Sequence, residues 1–242
     1  MKSPLTKIAI AAVVIIACLI GLSLWTGTQS GIALADVLAR MEQVKAFRCQ
    51  CSDYLLTGED PNKPYSLEAR STILISQEYG WKHNYEGLDP NGGKSTFGEF
   101  YRLPDKKTHL SILHKEKNYT RTEFDDDFVE RLWQKFDPRT LTKQILECKY
   151  ESLGRSTVDG IEVEGFQTTD PNFFYFFQGG KNRQIDVKLW VDVKTRLPVR
   201  SDTIGVDFYQ MENKKTYKHS VMHDFQWDVP VDAAEFEPVI PD

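Results

Sequence analysis

Leu189 to Ile204 reads LWVDVKTRLPVRSDTI, and Gln184 to Lys188 (QIDVK) leads into it with the same rhythm. Ile185, Val187, Leu189 and Val191 alternate with Asp186, Lys188, Trp190 and Asp192, the period of a strand with one buried and one wet face. Asp192 and Thr195 carry side chains that can bond the turn backbone. Pro198 then opens a returning strand, where its missing N–H is tolerated. A strand, a tight turn and a strand make an antiparallel hairpin, so the fold depends on how many such units flank this one.

Outward from the hairpin the pattern repeats. Pro198 to Phe208 and Lys215 to Trp227 follow it, while Tyr150 to Val158 and Ile161 to Thr168 precede it, joined by the turn Asp159-Gly160. Further upstream, Phe47 to Leu56, Leu67 to Ser76, Tyr79 to Tyr85, Thr96 to Leu103, Thr108 to Leu113 and Asn118 to Phe124 are rich in β-branched and aromatic residues. Asp60-Pro61-Asn62, Asp89-Pro90-Asn91-Gly92-Gly93 and Pro104-Asp105 punctuate them as turns. In the second of these strands Leu67, Ala69, Ser71, Ile73 and Ile75 oppose Glu68, Arg70 and Thr72. Two meanders follow from this reading.

Helices interrupt the strands in two places. Leu34, Val37, Leu38, Met41 and Val44 recur at helical spacing with Arg40, Glu42 and Gln43 facing away. A stripe this short needs a packing partner. Between the meanders, Asp125 to Asp127 complement a helix N-terminus ahead of Phe128, Leu132 and Phe136, with Val129 and Trp133 beside them. Asp137-Pro138 reads as N-cap and first position of another helix through Leu141, Ile145 and Cys148. The expected fold is α+β: a strongly curved antiparallel sheet, an unclosed half-barrel, with helices on its concave side.

Ahead of all this stands Ile8 to Trp25 (IAIAAVVIIACLIGLSLW), eighteen uncharged and mostly apolar residues behind Lys2 and Lys7. As a helix it would rise about 27 Å, the scale of a bilayer's hydrocarbon core. The basic flank places the N-terminus inside. Three readings compete: a retained single-pass anchor; a lipoprotein signal, since Ile15-Ile16-Ala17-Cys18 resembles a lipobox; and a signal cleaved within Thr26 to Ala35. A run that stays apolar to an interfacial Trp favours the anchor. The expected organisation is a cytoplasmic N-terminus at 1–7, a transmembrane anchor at 8–25, a linker at 26–32 and an extracytoplasmic domain at 33–242. The location follows: the cytoplasmic membrane, with the main domain in the periplasm.

Composition and motifs exclude more than they assign. With 12% aromatic and 27% charged residues the chain suits a folded core. The net charge is −5, about −7 outside the membrane, and no basic stripe invites nucleic acid. Cys49, Cys51 and Cys148 are an odd set. They read as small buried hydrophobes, and Cys148 with one of the others is the pairing geometry favours if a bridge forms. No phosphate-cradling loop, nucleophile elbow or HExxH occurs, and His219 and His223 on one strand would sit about 13 Å apart, too far for a shared metal. The five histidines read as ordinary surface or interface residues, and Glu162 with Glu164 as a solvated face. Neither an enzyme, a metal nor a cofactor is expected. An aromatic surplus remains, concentrated in Phe173 to Phe177 (FFYFF), which suits either core packing or an apolar flap.

Three stretches carry a family resemblance. The helix ALADVLARMEQVKAFRCQ (Ala33 to Gln50), the hairpin Leu189 to Ile204 and the ending FEPVIP (Phe236 to Pro241) resemble bacterial outer-membrane lipoprotein-sorting proteins of the LolA/LolB type. That group includes lipid-binding LppX-like proteins and the N-terminal domain of RseB-like regulators. Asp192, Thr195 and Leu197-Pro198 match the family's hairpin, with Arg196 where glycine is commoner. The resemblance implies an unclosed curved sheet around helices and, in the carriers, an acyl-binding cavity. The expected function is a membrane-tethered binding protein for a lipid, a lipoprotein acyl chain or another apolar ligand. Phe47, Ile73, Trp81, Tyr101, Leu110, Phe128, Leu132, Trp133 and Trp190 are the expected cavity contacts. The alternative is an envelope-stress sensor or scaffold acting through a membrane-protein partner.

Overall fold

In the computed structural model, placement is defined for residues 31–57, 66–89, 91–103, 108–123, 136–173, 185–209 and 214–240. The elements are α1 (Leu34–Glu42), β1 (Ala46–Thr57), β2 (Ser66–Ser76), β3 (Gly80–Leu88), β4 (Lys94–Arg102), β5 (Thr108–Leu113), β6 (Asn118–Glu123), α2 (Pro138–Glu147), β7 (Glu151–Val158), β8 (Ile161–Thr168), β9 (Ile185–Asp192), β10 (Pro198–Tyr209) and β11 (Lys214–Trp227). A 3-10 turn at Ala233–Phe236 follows. Among the described residues no helix is long and apolar enough to cross a membrane. The run Ile8 to Trp25 lies outside them, as does the helix expected after Asp125.

All eleven strands form one antiparallel sheet in the order β6-β5-β4-β3-β2-β1-β11-β10-β9-β8-β7. Each meander is built from neighbours in sequence. The two meet where β1 pairs β11, from Phe47 opposite Trp227 to Thr57 opposite Thr216. The order is linear and ends on β6 and β7, so the sheet is unclosed.

The turns follow their local chemistry. Asp159 and Gly160 both have positive φ (49° and 82°), the backbone that closes a two-residue hairpin. Asp192 accepts hydrogen bonds from the Lys194 N–H (2.7 Å) and the Thr195 hydroxyl (3.1 Å), as its position before the turn predicts. Arg196 takes φ +59°, the left-handed conformation that favours glycine. Its guanidinium lies 3.2 Å from Asp36, which ties the hairpin to α1.

α2 starts as its sequence dictates: the Asp137 carboxylate accepts from the Arg139 backbone N–H at 2.9 Å, with Pro138 in the first turn. It packs against α1 and buries Leu141 and Ile145, while α1 buries Leu34, Val37 and Met41. The Arg139 guanidinium lies 5.6 Å above the Phe47 ring, so α2 sits on the face of β1 that carries Phe47. The register transfers that face across the sheet. Phe47, Cys49 and Cys51 stand opposite Ile75, Ile73 and Ser71 of β2, and these stand opposite Trp81, His83 and Tyr85 of β3. On the other side Cys51 pairs Met222, which pairs Ser201, which pairs Leu189, which pairs Phe166. The core is this helix-bearing face. Cys49 and Cys51 are buried within it, and Cys148 is partly exposed.

Candidate functional site

Two surfaces of the sheet differ in chemistry. On the helix-bearing face, β3 to β5 raise a wall of rings. Phe136, just ahead of α2, lies 6.0 Å from Trp81 and 4.8 Å from His83, and His83 lies 5.6 Å from Phe100. Phe100 continues the wall to His109 (6.0 Å) and Tyr85 (6.5 Å). Trp81 and His83 are buried, whereas Phe100, Tyr85, His109 and Phe136 are half-buried, so the wall keeps reachable apolar surface. Burial lowers His109 to about 4, which leaves its imidazole neutral at physiological pH.

The same face turns polar toward the far ends of β1 and β11. Asp53 accepts a hydrogen bond from the Ser220 hydroxyl, and the Lys218 ammonium lies 3.8 Å from the same carboxylate. Ser71, Ser201 and Thr203 are buried nearby in register. Burial raises the Tyr85 hydroxyl above its ordinary value, and the charges of Asp53 and Glu68 raise it further. An amphiphile lying along this face would meet rings at one end and hydroxyls and charges at the other.

The opposite face carries a cleft of about 590 Å³ across β9, β10 and β11, with the end of β7 as one wall. A second depression of about 400 Å³ adjoins it and shares Asp159, Arg200 and His219. Within the cleft Arg200 makes two hydrogen bonds to Asp202, at 2.8 and 2.9 Å, and His219 Nε2 lies 3.0 Å from the same carboxylate. Burial alone would push Asp202 up. The hydrogen bonds and charges of Arg200 and His219 outweigh it and hold the carboxyl far below the usual range. Beside them Asp186 accepts from the Gln167 amide at 2.7 Å and pairs with Lys188 at 3.4 Å.

Of the expected contacts, Phe47, Ile73 and Trp81 share the helix-bearing face and are all buried. Tyr101 and Leu110 also are buried, but on the other face. Tyr101 pairs with Lys82, the neighbour of Trp81, and the Lys82 ammonium lies 5.2 Å over its ring. Tyr101, Leu110 and Ile112 form their own cluster there. Trp190 too faces away from the helices and lines the cleft. Phe128, Leu132 and Trp133 lie outside the described residues, as does Phe174 to Phe177, while Phe173 is buried.

Two expectations need correction. His83 is a buried member of the wall, not a surface residue, because its strand partner Ile73 stands on the core face. Glu164 is buried and accepts from the Ser152 hydroxyl at 3.3 Å, so only Glu162, paired with Arg155, keeps the solvated role. Among the described residues no cluster of His, Cys, Asp and Glu is arranged to hold a metal. Sequence reasoning missed Phe100, His83 and Phe136 as a group. Strand alternation in Trp81, His83 and Tyr85 was the signal that could have found them.

No family model matches the chain, and no curated protein does. Among solved structures it is similar to the lipoprotein LppX of Mycobacterium tuberculosis, at 10% identity over 82% of this chain and 98% of that one, with a TM-score of 0.46. It is similar to a LolA superfamily protein of Nitrosomonas europaea at 10% identity, covering 86% and 99%, with a TM-score of 0.33. A third is MucB in complex with MucA(peri), at 12% identity, covering 86% of this chain and 60% of that one, with a TM-score of 0.34. LppX, a LolA superfamily protein and MucB are thus among the solved structures this chain is similar to.

Proposed function

We propose that this protein is a non-enzymatic, membrane-tethered extracytoplasmic binding protein for an apolar ligand, a lipid or the acyl chain of a lipoprotein. The half-buried ring wall of Phe100, Tyr85, His109 and Phe136 is the observation that carries this reading. A soluble domain has no structural need to line its core face with reachable rings, and each methylene laid against them gains about 0.8 kcal/mol. An acyl chain of about twelve carbons would gain on the order of 10 kcal/mol before the cost of association is subtracted. The polar patch around Asp53 and Lys218 suits the head of such a ligand.

The tether limits what the protein does with its ligand. A linker of residues 26–32 reaches at most about 25 Å, so the domain receives, holds or senses lipid at the membrane surface and does not ferry it. Native mass spectrometry of the detergent-extracted protein should show a co-purified or exchangeable lipid, and Phe100→Asp should release it. A protein free of lipid that takes none up sinks the reading. For the tether, Cys18→Ser should leave membrane retention unchanged; loss of retention would transfer the role to a lipid anchor.

A second reading, a sensor or scaffold acting on a membrane-protein partner, has one observation of its own. β7 ends the sheet, every residue from Glu151 to Thr157 is exposed, and Tyr150, Leu153 and Ile161 present apolar side chains beside this open edge. In-cell crosslinking that captures no protein through β7 would count against it.

A further inference from the structure

Trp190 stands on the helix-free face of β9, where solvent would favour a small or charged side chain. Its indole packs closely against Gly165: a Cβ at that position would come within 2.6 Å of the Trp190 Cε3 and closer still to Cζ3. The strand opposite therefore gives up a side chain to seat the ring, and the half-buried ring becomes part of the cleft's lining.

The groups around it are charged but already paired. Arg200 and His219 are engaged with Asp202, and Lys188 and Gln167 with Asp186. Even with His219 counted as a cation beside Lys188 and Arg200, the lining's three positive groups meet three carboxylates (Asp159, Asp186, Asp202), so it has no spare positive charge for a phosphate or an acidic segment. What it presents is an aromatic plane flanked by fixed, planar donors and acceptors and by the Ser156 and Thr157 hydroxyls of the β7 wall. That combination matches one chemistry. A pyranose ring has an apolar C–H face that stacks on an indole, and a rim of hydroxyls that each donate and accept at once.

We propose that the cleft formed by β7, β9, β10 and β11 binds a neutral saccharide chain, with Trp190 as the stacking plane and the Arg200–Asp202–His219 and Lys188–Asp186 pairs reading the hydroxyls. This surface lies on the other side of the sheet from the ring wall, so it stands whether or not the wall binds lipid. In the envelope it would hold the domain against glycan while the N-terminal run holds it to the membrane.

The test uses the full chain in a detergent without a sugar head group, with maltotetraose, cellotetraose and chitotetraose at millimolar concentration. Saturation-transfer NMR should show contact to the ring C–H protons of at least one of them. Trp190→Ala should weaken that binding about tenfold or more, Trp190→Phe should retain most of it, and Ser156→Arg, on an exposed wall, should block it without touching the core. Lipid occupancy should be the same in all these variants. Absence of transfer to all three sugars overturns the proposal, and so does transfer that survives both Trp190→Ala and Ser156→Arg.

Discussion

Leu189 and Trp190 are consecutive residues of β9 that meet different surroundings. Leu189 is buried on the helix-bearing face, in a row with Ser201 and Phe166, whereas Trp190 lies on Gly165 among paired charges. Trp81 and Lys82 repeat the contrast in β3, the first against Phe136 and the second over Tyr101. A sheet backed by helices on one side can use both faces, because the period of two separates their chemistry without extra chain. The helix-bearing face gains stability from burial and keeps part of its aromatic surface reachable. The other face keeps charges but pairs them, which lets a cleft persist without an uncompensated ion.

Substitutions should separate the two faces, with the largest effect expected in the core. Phe47→Ala removes a fully buried ring that lies 5.0 Å from Trp227 and beneath Arg139, and should cost about 3–5 kcal/mol in urea unfolding. A loss below about 1 kcal/mol would mean that the helices do not seal this part of the sheet. Gly165→Ala should cost about 1–3 kcal/mol, since a methyl group there must lift the Trp190 ring. It should also abolish any ligand signal at the cleft while leaving any lipid signal at the wall unchanged. If both signals fall together, the faces are coupled and the contrast between them fails.

The pH dependence gives a third test. His109 is held neutral to about 4, so between its ordinary value near 6.5 and that point the unfolded chain binds the extra proton and the native one does not. Its contribution is therefore fully present above about pH 6.5 and is lost as pH falls toward 4, by about 1–2 kcal/mol once solvent screening of a partly exposed ring is allowed for. His109→Phe should flatten this limb of the stability profile, and an unchanged slope would place the imidazole in water. Asp202 acts in the opposite face and a lower window: its depressed carboxyl adds stability above the ordinary carboxylate range, lost only as pH falls below it. The smallest effect belongs to Arg196→Gly. It relieves a left-handed backbone worth about 1 kcal/mol and forfeits an exposed pair with Asp36 worth about as little, so Tm should move by only a few degrees.

The strands and the α2 cap were readable because their causes are local. Asp137-Pro138, Asp159-Gly160 and Asp192 with Thr195 act on backbone within a few residues of themselves, and the structure places each as the sequence suggests. The face of Trp190 was equally local. Its alternation with Leu189 already excluded it from the surface that holds Phe47, and placing it beside Phe47 among the expected cavity contacts ignored that period. Tyr101 and Leu110 were harder, because they are buried although their face is not the one against the described helices.

By itself the sequence determined the hairpins, the α2 start, the apolar N-terminal run and the absence of any phosphate-loop or nucleophile-elbow motif, since each depends on neighbours along the chain. Only the tertiary structure decided that β1 and β11 join two meanders into one sheet, that His83 and Glu164 are buried, and that Arg200, Asp202 and His219 meet in a cleft under β7. Those outcomes depend on pairings between residues far apart in sequence, where the energy of contact is settled by packing and no local periodicity records it.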